Sequence, residues 1–385
     1  MTGVRFDRPL RILQVIEATL GGAGRNVIDL AEGMAARGHQ VTLVWSAERA
    51  DGPFLAGLRQ LGGRVETVEL SMRPDLHPGD RRDLAALRAI IAASGPLDVL
   101  HLHGSKAGLL GLLAARRQRI RARVYTPHGL ATLDPDRGMI GRITAGLRER
   151  LLAARATRII AVSEDERVHA REYLKIDRRR LERVANGIAP PEPVTRAQAR
   201  TELGLPQDAL VAGFVGRLVA EKGADRLPAL AEAVRQMGLD PVWAVVGDGR
   251  DAGRIRAEAK RRGIDRMAWL GVQNGARAMA AFDLLVVPSR WQGLPYTLIE
   301  ALHRRLPTVA MDAGGAREVH GTGQAGIVTP AGDVQAMAAA VAGLLADEPA
   351  RRRMAEAAGG LAREYSVEAM VERTLGVYAR ALAQG

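Results

Sequence analysis

Short apolar runs alternate with amphipathic segments along the whole chain. A first set of runs predicts strands at 11–16, 41–45, 65–70, 98–103, 123–128 and 159–162. A second set repeats the arrangement at 210–216, 242–247, 267–271, 284–288, 307–311 and 326–330. Strands that alternate with helices are typical of parallel sheets covered by helices on both faces. We therefore expect an α/β protein with two doubly wound, Rossmann-like parallel sheets.

A proline-rich segment, 189-APPEPV-194, separates the two sets of strands and marks a domain boundary. Two domains also suit a chain of 385 residues, because it exceeds the length at which a single hydrophobic core keeps growing. We expect an N-terminal domain over 1–190, a C-terminal domain over 191–365, and a last helix in 366–385.

Some helix boundaries can be predicted from local patterns. Ser163 with Glu166, and Thr195 with Gln198, have the spacing of capping boxes at helix starts. Residues 334–363 have a helical pattern, and Ser366 can cap the final helix.

Ligands of doubly wound sheets bind at the carboxyl ends of the strands, so the loops there are the first candidates. The loop 17-EATLGGAGRN-26 has glycines that let the backbone approach a phosphate and expose amides at a helix start. A plain tight turn fits the same residues. Neither this loop nor 247-GDGRDAG-253 completes the GxGxxG pattern of a dinucleotide-binding enzyme. A further glycine pair, in 313-AGGAREV-319, is a weak signal on its own.

The loop 216-GRLVAEKG-223 places Arg217 and Lys222 five positions apart after a strand, where both could bind one diphosphate. The chain has only four lysines among its 55 basic residues, and a compact ammonium is a good point charge for a phosphate. The alternative is that both are ordinary surface charges.

In 288-PSRWQGLPYTLIEAL-302 an apolar strand ends and a helix begins near Pro295. Gly293 permits unusual backbone geometry just before it. Glu300 lies on a largely apolar helix, where an unpaired carboxylate is costly, so it needs hydrogen-bond donors. The hydroxyls of a ribose could supply them, and a solvent-exposed Glu300 is the alternative.

The histidines separate into two groups. His101 and His103 alternate on a strand without an evident third metal ligand, which favours packing or a polar lining. His128, in 125-YTPHG-129, follows a strand and can contact a ligand. The motif Asp134-Pro-Asp136 matches the DxD pattern of metal-dependent sugar transferases, but it ends no clear strand and is interpreted as a turn.

The chain has no cysteine, which fits a reducing cytoplasm. Its longest apolar run, 107–115, is too short to cross a bilayer, and Arg11 and Glu17 bracket the apolar start, so we expect neither a membrane span nor a signal peptide. The expected location is the cytoplasm.

The net charge of +12 belongs mostly to the first half, where residues 1–190 carry 31 Lys and Arg against 21 Asp and Glu. This is either a solvated arginine-rich surface or a surface for an anionic partner. Nucleic acid is the weaker choice, because aromatic residues make up only 3% of the chain. The stretch 139–156 mixes apolar and arginine positions as an interfacial helix does.

These motifs, in this order, resemble the retaining glycosyltransferases of family 4, which have the GT-B fold. The resemblance covers nearly the whole chain and includes GGAG, HLHGSKAGLL, YTPHG, VANGI, VGRLVAEKG, PSRWQGLPYTLIEAL and DAGGAREV. It implies two Rossmann-like domains facing across a cleft, with the last helix crossing back to the first domain. It also implies sugar transfer from a nucleotide sugar, most often a UDP-sugar, to a glycan or lipid-linked acceptor without a metal or other cofactor. Because many members of the family act on membrane-surface acceptors, the resemblance, the basic first half and the stretch 139–156 together predict peripheral attachment to the inner face of a membrane.

The resemblance further implies roles for individual residues. Arg217 and Lys222 would stabilise the leaving diphosphate, and His128 would contact the transferred sugar; these are the expected catalytic residues. The expected donor-binding residues are Gly22, Gln292, Gly293, Leu294, Pro295, Tyr296 and Glu300, with Glu300 on the ribose and Gly22 near the phosphates.

Gln292 departs from the family pattern, which usually has Glu at this position, eight residues before Glu300. A neutral amide is a poor nucleophile, so a double displacement through residue 292 is disfavoured. Two alternatives stay open: a sugar-nucleotide epimerase of the same fold, and a weakly active or non-catalytic protein that binds a nucleotide sugar.

Overall fold

The computed structural model describes residues 4–134, 137–321 and 324–384. The chain divides into two compact units. Unit 1 runs to Gly187 and also contains the chain from Val367 onward, and unit 2 runs from Ile188 to Ser366. The first division therefore falls just before the proline-rich segment.

Unit 1 is built on a parallel sheet. Its order across the described residues is β3-β2-β1-β4-β5-β6-β7. The strands are β1 (Arg11–Ile16), β2 (Gln40–Trp45), β3 (Glu66–Glu69), β4 (Val99–His103), β5 (Ala122–Thr126), β6 (Arg158–Ala161) and β7 (Leu181–Arg183). The helices between them are α1 (Gly22–Ala35), α2 (Gly52–Leu61), α3 (Asp80–Ala93), α4 (Ser105–Ala114), α5 (Met139–Arg155) and α6 (Glu164–Glu172).

Both faces of the central strand β1 are buried, as a doubly wound sheet requires. Ile12 and Ile16 pack into one apolar cluster, and Leu13 and Val15 pack into the other. Because side chains alternate along a strand, an unbroken apolar run is what fills both layers.

Unit 2 repeats the plan with the strand order β10-β9-β8-β11-β12-β13. Its strands are β8 (Val211–Val215), β9 (Val242–Val246), β10 (Met267–Gly271), β11 (Leu284–Val287), β12 (Thr308–Met311) and β13 (Gly326–Thr329). Its helices are α7 (Arg196–Glu202), α8 (Leu227–Gln236), α9 (Ala252–Arg261), α10 (Gly275–Ala278), α11 (Tyr296–His303), α12 (Ala316–Val319), α13 (Val334–Ala346) and α14 (Glu348–Leu361).

The last helix, α15 (Val367–Leu382), belongs to unit 1. Its residues Val371, Leu375 and Tyr378 are fully buried in the same apolar cluster as Ile12 and Ile16. The carboxyl-terminal segment thus completes the core of the unit that the beginning of the chain forms.

In each sheet the strand order reverses at one point. The reversal lies between β1 and β4 in unit 1 and between β8 and β11 in unit 2. Loops that follow the two strands at such a point diverge around a crevice, which is where doubly wound sheets bind ligands.

All twelve predicted strands are present, and both sheets are parallel as expected. The helical pattern over 334–363 is confirmed and consists of two helices, because Asp347 caps α14 and a proline lies in its first turn. Strand β7 was not predicted, because Leu181–Arg183 has no apolar run. None of the described helices is long and apolar enough to cross a membrane.

Candidate active site

The strand order of unit 2 reverses between β8 and β11, and two of the predicted loops meet at this switch point. The loop after β8 ends in a 3-10 turn, Ala220–Lys222, and the loop after β11 carries Gln292. Since β8 and β11 are hydrogen-bonded neighbours, the two loops leave the sheet side by side. Lys222 Nζ donates a hydrogen bond of 3.2 Å to Gln292 Oε1. Two residues that lie 70 positions apart thus form the centre of the site.

Glycines allow these loops to stack directly on one another. A Cβ at Gly223 would lie 1.8 Å from the carbonyl oxygen of Pro288, and a Cβ at Gly314 would lie 1.8 Å from that of Gln292. Both glycines also have positive φ, 67° and 36°. Only glycine satisfies both the close approach and the backbone conformation. Gly314, from the glycine pair in 313–319, therefore packs directly against the backbone of Gln292.

One ion pair and two hydrogen bonds to backbone carbonyls, none of them predicted, hold the loops after β8 and β11 together. The Arg290 guanidinium donates two hydrogen bonds of 2.7 Å to the Asp225 carboxylate, and the Arg290 amide donates to the Glu221 carbonyl at 2.9 Å. Arg226 Nη1 donates to the Pro288 carbonyl at 2.8 Å. Arg290 was assigned no role, although it lies inside the quoted stretch 288–302, two positions before Gln292, which was a usable signal.

The charges of the site are only partly neutralised by the protein. Arg217 is half exposed and lies 3.4 Å from Glu221, which is also 4.0 Å from Lys222 Nζ. Desolvation by burial lowers the pKa of Lys222, while Glu221 raises it and Arg217 lowers it. One carboxylate thus serves two cations, and the site has an excess of positive charge for an anionic ligand.

Gln292 is buried, with 6% of its surface exposed. An ammonium can only donate, so the oxygen of the amide must face Lys222 and the nitrogen must point away. Gln292 Nε2 is buried and has no hydrogen-bond partner among the residues that the structure describes. A buried donor without an acceptor is unusual in a native protein and often lies at a functional site.

The helix that follows, α11, begins at Tyr296 with Pro295 as its N-cap residue. Gly293 and the buried Leu294 precede the helix, so Leu294 can offer a ligand only its backbone. Glu300 lies one turn into α11 and is 9% exposed. One carboxylate oxygen comes within 3.8 Å of the position that a Cβ on Gly275 would occupy. Glu300 is therefore a buried acid of unit 2, as its apolar helix predicted.

In unit 1, Gly22 is the first residue of α1 and is exposed. The preceding N-cap residue, Gly21, has a φ of 69° and donates its amide to Asp51 Oδ2 at 2.9 Å. No acidic residue lies in the first turn of α1. The exposed Gly22 thus lies at the positive end of the helix, which favours an anion, and the Gly21 amide is already taken by the Asp51 carboxylate.

His128 follows β5 and belongs to a cluster of histidines in unit 1. Its Nε2 lies 2.9 Å from Nδ1 of the buried His103, and the His103 ring lies against that of His101, with centroids 3.9 Å apart. Desolvation lowers the pKa of His128 to about 4 and that of His101 to about 3. These imidazoles are therefore neutral near pH 7. His101 and His103 are fully buried polar groups of unit 1.

The backbone at His128 is unusual and is held by Glu166. His128 and Gly129 have φ values of 57° and 118°, in the left-handed region that few side chains adopt. Glu166 Oε1 accepts from the Gly129 amide at 2.9 Å, and its Oε2 accepts from Val162 at 2.7 Å. Burial raises the pKa of Glu166 to about 7.

The same contacts correct one prediction. Ser163 caps α6 by accepting from the Glu166 amide, but the Glu166 carboxylate does not return to close a capping box. It supports the His128 loop instead. Thr195 and Gln198 do form the predicted box at the start of α7.

Asp134 ends a 3-10 turn, Ala131–Leu133, as its interpretation as a turn requires. Pro135 and Asp136 lie outside the described residues. Over residues 4–134, 137–321 and 324–384, no group of three or more His, Cys, Asp or Glu side chains could hold a metal ion.

Two family models match the chain. The model described as "Glycosyltransferase Family 4" matches residues 20–190, and the model "Glycosyl transferases group 1" matches residues 195–360. A D-inositol 3-phosphate glycosyltransferase of Thermomonospora curvata is 30% identical over 93% of this chain and 90% of its own. An Escherichia coli UDP-Gal:alpha-D-GlcNAc-diphosphoundecaprenol alpha-1,3-galactosyltransferase is 28% identical over 57% of this chain and 58% of its own.

Among solved structures, the HepE protein of Anabaena in complex with UDP-glucose has a similar fold. Its TM-score is 0.77 and its sequence identity 22%, over 98% of this chain and 100% of its own. This likeness shows the fold, with two Rossmann-like domains of the GT-B type.

Proposed function

The chain belongs to glycosyltransferase family 4, and from this premise we propose that it transfers a sugar from a UDP-sugar to a glycan or lipid-linked acceptor, with retention of anomeric configuration and without a metal. Use of a nucleotide-sugar donor follows from the family. The observation that carries the finer proposal is the cationic pair Arg217 and Lys222 at the switch point of unit 2, served by the single carboxylate of Glu221.

The pair supplies the electrostatic part of catalysis. When the sugar leaves, negative charge grows on the oxygen of the departing diphosphate, and fixed cations at that place lower the barrier. Each charge-assisted hydrogen bond contributes about 1.5 to 3 kcal/mol. Glu300, buried in the same unit, accepts from the ribose hydroxyls in this proposal, and the backbone from Gly293 to Tyr296 faces the phosphate and sugar. The UDP-glucose complex of HepE supports UDP as the nucleotide.

Retention follows from front-face attack rather than from a covalent intermediate. The neutral amide of Gln292 is no nucleophile. The acceptor hydroxyl oxygen bonds to the anomeric carbon on the face from which the diphosphate departs. The bond between that carbon and the phosphate oxygen breaks, and the hydroxyl proton passes to the departing phosphate. His128, in unit 1, contacts the transferred sugar.

The test is a transfer assay with a panel of UDP-sugars and lipid extracts, with and without EDTA. NMR of the product should show the anomeric configuration of the donor, and EDTA should leave the rate unchanged. An inverted product would refute retention. Incubation with the nucleotide sugar alone discriminates the epimerase alternative, because an epimerised sugar would exclude the transferase proposal.

For the acceptor side, we propose that the protein is cytoplasmic and binds the anionic inner face of a membrane through α5. This helix has one buried face and one exposed apolar face. Ala145, Glu149 and Leu152 are buried against unit 1. The opposite face exposes a row of large apolar side chains, 46% to 76% accessible: Ile140, Ile143, Leu147 and Leu151.

The charges around that row favour lipid over a second copy of the chain. Arg155 lies along one side of the row and Arg150 along the other. Glu149, the one acid of α5, is buried and pairs at 3.7 Å with Arg148, which lies on the same side as Arg155. Two such arginine-rimmed faces would repel each other, whereas anionic headgroups complement them. The undecaprenol-linked acceptor named for the Escherichia coli relative supports a membrane-bound acceptor.

Vesicle flotation tests this surface. The wild type should float with phosphatidylglycerol vesicles at low salt, and the double variant Ile143→Ser with Leu147→Ser should not. Val272→Ser, at a 78% exposed position of unit 2, is the matched control and should float like the wild type. If the wild type does not float with the vesicles even at low salt, the proposal is refuted. If the wild type is a dimer in solution and the double variant is a monomer, the exposed face of α5 binds a second copy instead.

A further inference from the structure

A continuous line of polar contacts runs from His128 back to the last helix. His128 Nε2 meets His103 Nδ1 at 2.9 Å, and the His103 ring lies against His101. His101 Nδ1 is 2.7 Å from the Tyr378 hydroxyl of α15, and its Nε2 is 2.8 Å from Thr126 Oγ1. Since both nitrogens of His101 are engaged, that ring cannot turn, and it fixes the plane on which His103 rests.

The contact between His103 and His128 restricts where the protons lie. Two neutral imidazoles that share one hydrogen bond have a single proton between the facing nitrogens. His103 Nε2 is buried and has no partner within the described part of the chain. If His128 donated, His103 would have to bear its own proton on that Nε2, which would leave a buried N–H unsatisfied.

An orphaned buried N–H is rarer in folded proteins than an unfilled acceptor. The favoured arrangement therefore has His103 donating from Nδ1. His128 then accepts at Nε2 and bears its proton on Nδ1, the nitrogen for which the described residues supply no hydrogen-bond partner.

We propose that His103 is a positioning residue, which holds His128 in the Nδ1–H tautomer so that this N–H donates to an oxygen of the substrate. The inference rests on the proposed function in one respect, that His128 contacts the transferred sugar. It assigns His128 the chemistry of a hydrogen-bond donor to a sugar hydroxyl oxygen, and not that of a general base.

Two substitutions separate the donor from the ring. The amide nitrogen of an asparagine lies as many bonds from Cβ as Nδ1 of a histidine, so His103→Asn keeps a donor at this point, and His103→Leu removes it. We expect kcat of His103→Leu to fall about tenfold, the effect of one misdirected hydrogen bond. His103→Asn should stay within about threefold of the wild type, and UDP affinity should be unchanged in both. His77→Leu, at an exposed histidine of the same unit, is the matched control.

The tautomer itself can be measured without turnover. The chain has eight histidines, so long-range proton–nitrogen spectra of histidine-labelled protein can be assigned with a His128→Ala variant. We expect the spectra to show the ring proton of His128 on Nδ1 in the wild type and in His103→Asn, and a mixture of the two tautomers in His103→Leu. A wild-type proton on Nε2 would overturn it, as would equal kcat losses in the two variants. If the wild type shows no transfer, the proposed function fails, and the spectra still decide the role of His103.

Discussion

Replacing Lys222 by alanine should weaken the binding of UDP more than any other single loss of charge in unit 2. The change removes the ammonium that donates to Gln292 Oε1 at 3.2 Å and that faces Glu221 at 4.0 Å. About a quarter of the Lys222 side chain is exposed, so water can replace little of what the ammonium does.

The magnitude follows from that geometry. Two unit charges 4 Å apart attract by about 4 kcal/mol at an effective dielectric constant of about 20, which bounds what one phosphate oxygen can gain. The net value of a charge-assisted hydrogen bond is smaller, about 1.5 to 3 kcal/mol. Lys222→Ala should therefore raise the Kd for UDP by about 10- to 150-fold. Arg217→Ala should cost less, because Arg217 is half exposed and its gain is screened.

Isothermal titration with UDP at low and moderate salt measures these constants. Lys260→Ala removes the same charge at an exposed position on α9 and should bind UDP like the wild type. Thermal unfolding of each variant separates lost binding from lost structure. A Lys222→Ala protein that unfolds normally and binds UDP within about threefold of the wild type would refute the role of this ammonium.

Four further outcomes are expected. The wild type should already turn over, since front-face attack needs no nucleophile at residue 292, and Gln292→Glu should change only its donor preference in the transfer assay; turnover by the variant alone would support the non-catalytic alternative. The pKa of Glu166 is raised from 4.5 to about 7, so its contribution to stability is present below pH 4.5 and is lost as the pH rises towards 7, by at most about 3 kcal/mol. In urea unfolding at pH 5 and pH 8, the wild type should lose more stability on this rise than Glu166→Gln, and an equal loss would contradict the shift. Gly223→Ala should lower Tm and UDP affinity more than Gly238→Ala, because both have positive φ but only the first would clash with a carbonyl of the facing loop; equal effects would leave backbone strain as the whole cause. Asp134→Ala and EDTA should each leave transfer unchanged, and loss of activity with both would overturn metal independence.

The parallel sheets could be predicted because most of their strands are apolar runs long enough to fill two layers of core, with β7 as an exception. Arg217, Lys222 and Gln292 could be selected as candidates because their loops follow such runs. The contact between Lys222 and Gln292 could not be predicted. It depends on β8 and β11 being neighbours in the sheet, and the sequence pattern does not give the strand order.

Glu166 shows the other limit. Its spacing from Ser163 is that of a capping box, and local sequence contains nothing to distinguish that use from another. The carboxylate goes instead to the amide of Gly129, 37 positions earlier in the chain. A carboxylate binds whichever backbone amides the fold places near it. The pattern at a helix start therefore predicts the N-cap residue, here Ser163, better than it predicts what the N3 carboxylate binds.

The place of α15 has a consequence for how the protein is made. Val371, Leu375 and Tyr378 complete the core of unit 1, yet they leave the ribosome after all of unit 2. Domains usually fold in the order of synthesis. Here unit 2 can fold before α15 is synthesised, while the apolar face of unit 1 that α15 covers is still exposed. Unit 1 should therefore finish folding last and should depend more on chaperones than unit 2.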